Sequence, residues 1–235
     1  MSKIQPLSKT VRVIIPALNE EGSIAKVINE VPKSIAKEII VCDNGSIDNT
    51  SKEAIKAGAT VLVENEKGYG ASCLKGIDYV NNLKEKTDII VFLDGDYSDY
   101  PEEMKNVIAP ILNHSADMVI GSRALGLKER GSLTPQQVFG NWLATKMLYA
   151  FYGVKFTDLG PFRAITLQAL NSLNMQDRNY GWTVEMQIKA AKQKIRSVEV
   201  PVNYRKRIGF SKVSGTVKGT IMAGYKIILT LFKYL

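Results

Sequence analysis

The sequence predicts an α/β fold, a mostly parallel sheet flanked by helices, and three observations carry that prediction. Short, nearly uninterrupted apolar runs rich in Val and Ile recur at residues 11–15, 38–42, 60–63, 89–93 and 118–120, the pattern of strands buried on both faces. Helix-like segments separate them, and such alternation implies right-handed crossovers between parallel strands. Polar, acid-bearing turns follow directly on three of the strands, at the edge where open sheets of this class bind ligands.

Taken in order, the first strand runs into Pro16-Ala17-Leu18-Asn19-Glu20-Glu21 and a helix over 23–30. The second runs into Asp43-Asn44-Gly45-Ser46-Ile47-Asp48-Asn49-Thr50 and a helix over 50–57. The third leads through Lys67-Gly68-Tyr69-Gly70-Ala71 into a helix ending near 83, and the fourth ends at Asp94-Gly95-Asp96. The helix over 101–113 starts well, because Pro101 suits the first helical position and Glu102 and Glu103 complement the helix dipole. Residues 124–135 mix Gly, charges and Pro, which predicts a mobile loop and a candidate lid before a helix over 136–151. A helix over 183–192, a strand over 196–204 and a final helix over 216–235 complete the chain. The expected organisation is one domain over 1–215 with a C-terminal amphipathic helix over 216–235.

Composition narrows the function. With 45% hydrophobic and 23% charged residues the chain is neither disordered, collagen-like nor a disulfide scaffold. Cys42 and Cys73 form no CxxC and His114 is the lone histidine, so zinc and dithiol chemistry lack ligands. Reduced cysteines, with no apolar N-terminal run and no stretch of membrane-span length, point to a cytoplasmic protein. The net charge of +8 is uneven: residues 201–235 hold seven of the excess positive charges and no acid. A nucleic-acid binder carries a basic face on its fold, so nucleic acid is not an expected partner.

Asp94-Gly95-Asp96 is the sharpest chemical feature. Two carboxylates at a strand end suit a hard cation, Mg²⁺ or Mn²⁺, that shares its sphere with substrate phosphates, and Gly95 would leave room for a diphosphate. Taken alone, an Asp-x-Asp is also an ordinary solvated turn. Residues 43–50 fit a ligand loop and equally a strand-to-helix turn. Lys67-Gly68-Tyr69-Gly70 lacks the third glycine of a dinucleotide fingerprint and the Gly-Lys-Ser of a P-loop, which leaves a glycine-bearing helix start close to a substrate.

Together these segments, with Gly121-Ser122-Arg123, Asp158-Leu159-Gly160-Pro161-Phe162-Arg163, Trp182-Thr183-Val184-Glu185-Met186-Gln187 and Arg207-Ile208-Gly209-Phe210-Ser211-Lys212, resemble a family 2 inverting glycosyltransferase of the GT-A, Rossmann-like fold. The closer resemblance is to the dolichol-phosphate mannose synthase and polyprenyl-phosphate glycosyltransferase branch, over about residues 11–215. It implies that Asp43, Pro16, Leu18 and Glu20 line a pocket for the nucleotide base and ribose, and that Asp94, the Gly95 carbonyl and Asp96 hold metal and diphosphate. Arg123 and a basic residue among Arg205, Arg207 and Lys212 would meet phosphate oxygens. Two departures stand out: Ser98 replaces a Gln usual in this branch, and the spacing from Arg207 to Lys212 is one residue short.

The implied reaction moves a hexose from a UDP-sugar or GDP-mannose to a polyprenyl or dolichyl phosphate. A divalent cation would neutralise the leaving diphosphate. A lipid phosphate is already largely ionised at pH 7 and barely needs a general base, whereas a saccharide hydroxyl needs one, for which Asp158 is the candidate. Transfer to a saccharide hydroxyl and a catalytically idle binding subunit are the alternatives.

On a helix from Val217, Lys218, Lys226 and Lys233 fall within about an 80° arc, with Ile221, Ile227, Ile228, Leu231, Phe232 and Leu235 on the other side. Met222 and Leu229 intrude on the arc. This predicts a peripheral helix on an anionic membrane, at the cytoplasmic face, although a helix docked on the domain, a membrane-protein partner or a second copy gives the same pattern.

Overall fold

The computed structural model describes residues 9–209 and 217–235. A seven-stranded sheet runs in the order β3-β2-β1-β4-β6-β5-β7, with β1 Val11–Ala17, β2 Ala36–Asp43, β3 Thr60–Val63, β4 Ile89–Phe92, β5 Met118–Ser122, β6 Arg163–Thr166 and β7 Ser197–Pro201. Six strands share one direction. The exception is β6, antiparallel to both β4 and β5, whose register pairs Ile90 with Ile165 and Val119 with Ala164. Sequence reading passed over β6, because four residues opening on an arginine carry neither a long apolar run nor an alternation.

Side-chain alternation along β1 divides the core. Val11, Val13 and Ile15 point to a layer formed by α1 (Ile24–Glu30), α2 (Thr50–Lys56) and α4 (Met104–Leu112). Ile14 joins Ile40, Cys42, Ile90 and Phe92 on the other face, under α3 (Tyr69–Asn81), α6 (Leu167–Leu173) and α7 (Trp182–Lys192). Burial pushes the Cys42 thiol up to about 12, so it packs as a small apolar group. Pro16 sits in this central strand without loss: even-numbered β1 residues face β4, as Leu93 donating to the Ile14 carbonyl shows, and β1–β4 pairing has ended at Ile14–Phe92.

Most expected elements agree within a residue or two, but the strand expected over 196–204 ends at Pro201, sequence reading passed over α6, and two segments differ in character. Residues 101–103 form a 3-10 turn before α4 begins at Met104. The loop over 124–135 is pinned: Glu129 N–H donates to the Tyr204 carbonyl, Tyr204 N–H to that of Leu127, and Leu127 N–H to Asn203 Oδ1. It leads into α5 (Pro135–Tyr152), where Thr134 and Gln137 close a reciprocal capping box and Gly153 (φ 69°) terminates the helix.

The C-terminal helix α8 (Val217–Lys233) is docked through its second half. Leu231 is buried with Ala144 and Leu148 of α5 and Val184 and Ile188 of α7. Tyr152 donates to the Leu231 carbonyl at 2.6 Å, and the Tyr234 hydroxyl reaches Glu185 Oε1 at 2.6 Å. Among the described residues, no helix is long and apolar enough to cross a membrane.

Candidate active site

The carboxyl ends of β1, β2 and β4 open into a cavity of about 290 Å³, and a second of about 320 Å³ lies beside it. Both are of the size class of small-molecule sites. Pro16, Leu18, Glu20, Asn44, Lys67 and Gly95 line the first alone. Arg123, Tyr204, Leu159 and Pro161 line the second alone, together with Gln136, Gly140 and Asn141 of α5 and Gly224 and Ile227 of α8. Tyr69, Asp94, Asp96, Tyr180 and Arg207 belong to both, so the aspartate pair stands at the junction.

Each aspartate has a partly satisfied carboxylate. Tyr69 donates to Asp94 Oδ1 at 3.1 Å. Burial pushes the Asp94 carboxyl up, against the opposing charge of Arg207 and the Tyr69 hydrogen bond. Ser98 donates to Asp96 Oδ1 through both its N–H and its hydroxyl, while the buried Oδ2, among the described residues, faces the Arg207 guanidinium and has no other partner. A buried carboxylate oxygen facing only a positive charge, next to a second carboxylate, is a donor set for a hard divalent cation. No cluster of three or more acidic, His or Cys ligands exists among the described residues, so such a cation would complete its sphere from water and substrate phosphate. The residues therefore fit Mg²⁺ or Mn²⁺.

The glycines serve packing rather than ligand clearance. A Cβ on Gly95 would meet Ile24, Ile15 and Ala17 side-chain atoms at 3.3–3.6 Å, on the core side, which corrects the expectation that this glycine makes room for a diphosphate. At Gly68 and Gly70 a Cβ would lie 2.0 Å from the Arg178 carbonyl oxygen and 1.9 Å from that of Asp177. The helix start at Tyr69 is thus clasped by the 176–181 loop, and Ala71 N–H donates to the Arg178 carbonyl at 2.9 Å.

The arginines separate by role. Arg207 lies at the junction. Arg205 is stacked on Tyr97, pairs with Glu30 at 2.6 Å, and lines neither cavity, so of the two only Arg207 stands in a cavity wall. Lys212 lies outside the described residues. Arg123 is held by Asp158 through Nε at 2.8 Å and Nη2 at 2.7 Å, and the same carboxylate accepts the Arg123 N–H. Burial alone would lower the Arg123 pKa; the Asp158 charge overrides it and raises it.

Asp158 is 2% exposed and lines neither cavity. Both its oxygens are committed to Arg123, so it holds that guanidinium in place and presents neither oxygen to a cavity as the expected general base would. Asp43 is also turned inward, accepting from Ser46 N–H at 2.8 Å and from the Ser51 hydroxyl, and the second strand reaches the first cavity through Asn44 instead. Sequence reading missed Asn179 and Tyr180, which enter from the loop before α7. The signal available was an aromatic-glycine pair, Tyr180-Gly181, at a helix start opposite the site.

A parallel sheet with one antiparallel strand, an aspartate pair at the carboxyl edge and two abutting cavities define a GT-A glycosyltransferase. The family description "Glycosyl transferase family 2" matches residues 12–173, and the chain belongs to that family. It is 33% identical over 216 residues to an uncharacterized glycosyltransferase of Mycobacterium tuberculosis, covering 91% of this chain and 94% of that one. It is 31% identical to a UDP-N-acetylglucosamine–dolichyl-phosphate N-acetylglucosaminyltransferase of Methanococcus voltae, over 95% of each chain. An undecaprenyl-phosphate mannosyltransferase of Micrococcus luteus is 27% identical over 89% of each. Among solved structures, glucosyl-3-phosphoglycerate synthase of M. tuberculosis with Mn²⁺, UDP and glucosyl-3-phosphoglycerate shares the fold, with a TM-score of 0.77, 22% identity, and coverage of 97% of this chain and 80% of that one.

Proposed function

We propose that this glycosyltransferase moves a hexose, with inversion, from a nucleotide-diphosphate sugar to a polyprenyl phosphate at an anionic membrane surface. One observation carries the reading: the aspartate pair joins a cavity at the carboxyl ends of the strands to a second one walled by α5 and α8 and headed by Arg123 and Arg207. The first suits the nucleotide, with Asn44, Lys67 and the 16–20 turn around it. The second presents two guanidiniums, the side chains best matched to phosphate oxygens. The names of the M. voltae and M. luteus relatives support a lipid-phosphate acceptor.

A divalent cation held by Asp94 and Asp96 would supply charge neutralisation of the leaving diphosphate. The chain's own residues do the rest. Arg207, beside Asp96, and Arg123, fixed by Asp158, orient the acceptor phosphate so that one oxygen attacks the anomeric carbon from the face opposite the diphosphate. That carbon–oxygen bond forms as the bond to the diphosphate breaks, which inverts the centre. The acceptor arrives ionised, so no base is required, and the commitment of Asp158 to Arg123 costs the reaction nothing.

The membrane contact follows from the outer faces of the same two helices. On α5, Val138, Phe139, Trp142 and Tyr149 are more than half exposed, and on α8 Tyr225 and Phe232 are as well. The Phe139 and Trp142 rings lie 5.8 Å apart, and Phe151 of α5 and Phe232 of α8 lie 5.6 Å apart. An aromatic patch of this kind suits the headgroup boundary. It stands beside the expected lysine arc: Lys226 is paired with Asp177 at 3.2 Å, Lys233 is exposed, the side chain of Lys218 lies outside those described, and Met222 and Leu229, which intrude on the arc, are exposed as well.

Calorimetric titration of UDP-glucose, UDP-N-acetylglucosamine and GDP-mannose with and without Mn²⁺ tests the donor half. Metal-dependent binding of one of them is expected, with at least about a hundredfold loss in Asp96→Ala in a protein that still unfolds cooperatively. Equal affinity in wild type and variant would exclude the metal assignment.

A further inference from the structure

We infer that Tyr180 seats the transferred sugar, as a specificity-determining residue of the donor; this rests on the proposed assignment of the two cavities to nucleotide and acceptor. The reacting anomeric carbon must lie between the leaving diphosphate and the attacking oxygen, so the sugar occupies the junction. Five residues line both cavities there. Asp94 and Asp96 form the carboxylate pair, Tyr69 donates to Asp94, and Arg207 stands against Asp96. Tyr180 is the fifth, a half-buried residue of both walls whose side chain offers a ring and a hydroxyl. A phenol ring packs on the C–H face of a pyranose while its hydroxyl meets a sugar hydroxyl, so one side chain supplies both apolar area and a polar contact.

The path of the chain around it points the same way. Asn179 lines only the first cavity, Tyr180 both, and Thr183 only the second, so this segment crosses the junction from the nucleotide side to the acceptor side. It is also held rigidly. Asp177 Oδ1 accepts the N–H groups of Asn179 at 2.7 Å and Gly181 at 3.1 Å, on either side of Tyr180. Glu185 accepts the N–H groups of Gln176 and Asp177, and the Arg178 carbonyl is taken by Ala71 N–H. A Cβ on Gly181 would lie 2.5 Å from both Asp177 Oδ2 and Thr230 Oγ1, so the loop has no room to slide toward α8. A ring on so constrained a backbone can discriminate between sugars that differ in a single hydroxyl orientation or substituent.

Calorimetry in Mn²⁺ on the full chain, with UDP and GDP titrated beside UDP-glucose, UDP-N-acetylglucosamine and GDP-mannose, separates the sugar from the nucleotide. Tyr180→Ala should bind the bare nucleotide diphosphate within twofold of wild type, lose at least tenfold in affinity for the matching nucleotide-sugar, and flatten the ranking among sugars. Tyr180→Phe should restore most of the affinity while altering the ranking, because it keeps the ring and removes the hydroxyl. An equal loss of bare nucleotide and nucleotide-sugar in Tyr180→Ala assigns the residue to loop structure and overturns the inference, as does an unchanged sugar ranking. If wild type binds bare nucleotide and nucleotide-sugar with the same affinity, no sugar seat exists at the junction. If it binds none of them, the cavity assignment fails and takes this inference with it.

Discussion

At the level of single residues, the site's glycines show how a motif and its physical cause come apart. Gly95 sits between the two aspartates, yet the space its missing Cβ would fill belongs to Ile24 and Ile15 at 3.3–3.4 Å, flexible side chains that can yield. Gly70 lies outside that motif, and there the obstacle is the Asp177 backbone at 1.9 Å, which cannot yield without moving the loop that carries Tyr180. Gly95→Ala should therefore cost less than about 1 kcal/mol of stability and leave nucleotide binding intact, while Gly70→Ala should cost about 2–3 kcal/mol and weaken nucleotide-sugar binding. Denaturant unfolding with calorimetry on both variants measures the contrast, and a reversed order of effects would show that the motif glycine answers to the ligand after all.

The decisive element is α8, tied to the body through Glu185 on α7. The Glu185 side chain is fully buried and accepts from Lys189, from the Tyr234 hydroxyl and from the Gln176 and Asp177 N–H groups. Burial pushes its carboxyl up, but the donors outweigh burial and leave it below the ordinary value of 4.5. A carboxyl whose folded pKa is depressed adds stability that is fully present above the unfolded value and is lost as pH falls through the folded one. Wild type should accordingly exceed Glu185→Gln in stability by about 2 kcal/mol at pH 7, with the difference shrinking as pH drops below 4.5. Thermal melts of the pair from pH 7 to pH 3 would measure it, and a pH-independent gap would show that hydrogen-bond shape rather than charge holds α8.

For the whole molecule, the two cavities and the exposed aromatic residues share one pair of helices: α5 and α8 wall the second cavity with one face and present Phe139, Trp142 and Phe232 with another. On the proposed function, such a surface in the headgroup region would bring a lipid phosphate to the cavity without lifting its chain far from the bilayer. The double variant Trp142→Glu with Phe232→Glu should lower co-sedimentation with anionic vesicles at least about tenfold and slow turnover on a long-chain lipid phosphate, with nucleotide-sugar binding unaffected. Unchanged sedimentation would leave the patch to a protein partner. This pair is preferable to removing the helix, because Leu231 and Thr230 are buried in the body and their loss would unfold it.

Much of this was legible in the chain itself. Buried parallel strands are written as runs of Val and Ile, and the acidic turn after the fourth strand as Asp94-Gly95-Asp96, because each of these signals is local. What tertiary structure decided are the assignments that depend on which distant backbone comes near. Arg207 rather than Arg205 reaches the site, since Glu30 and Tyr97, far off in the sequence, claim Arg205. Asp158 holds Arg123, Asn44 replaces Asp43 in the cavity wall, and Tyr180 is brought to the junction by a loop packed against Gly68 and Gly70. Periodicity records which face of an element is buried; it does not record which partner lies against that face, and the chemistry of a side chain is set by the partner.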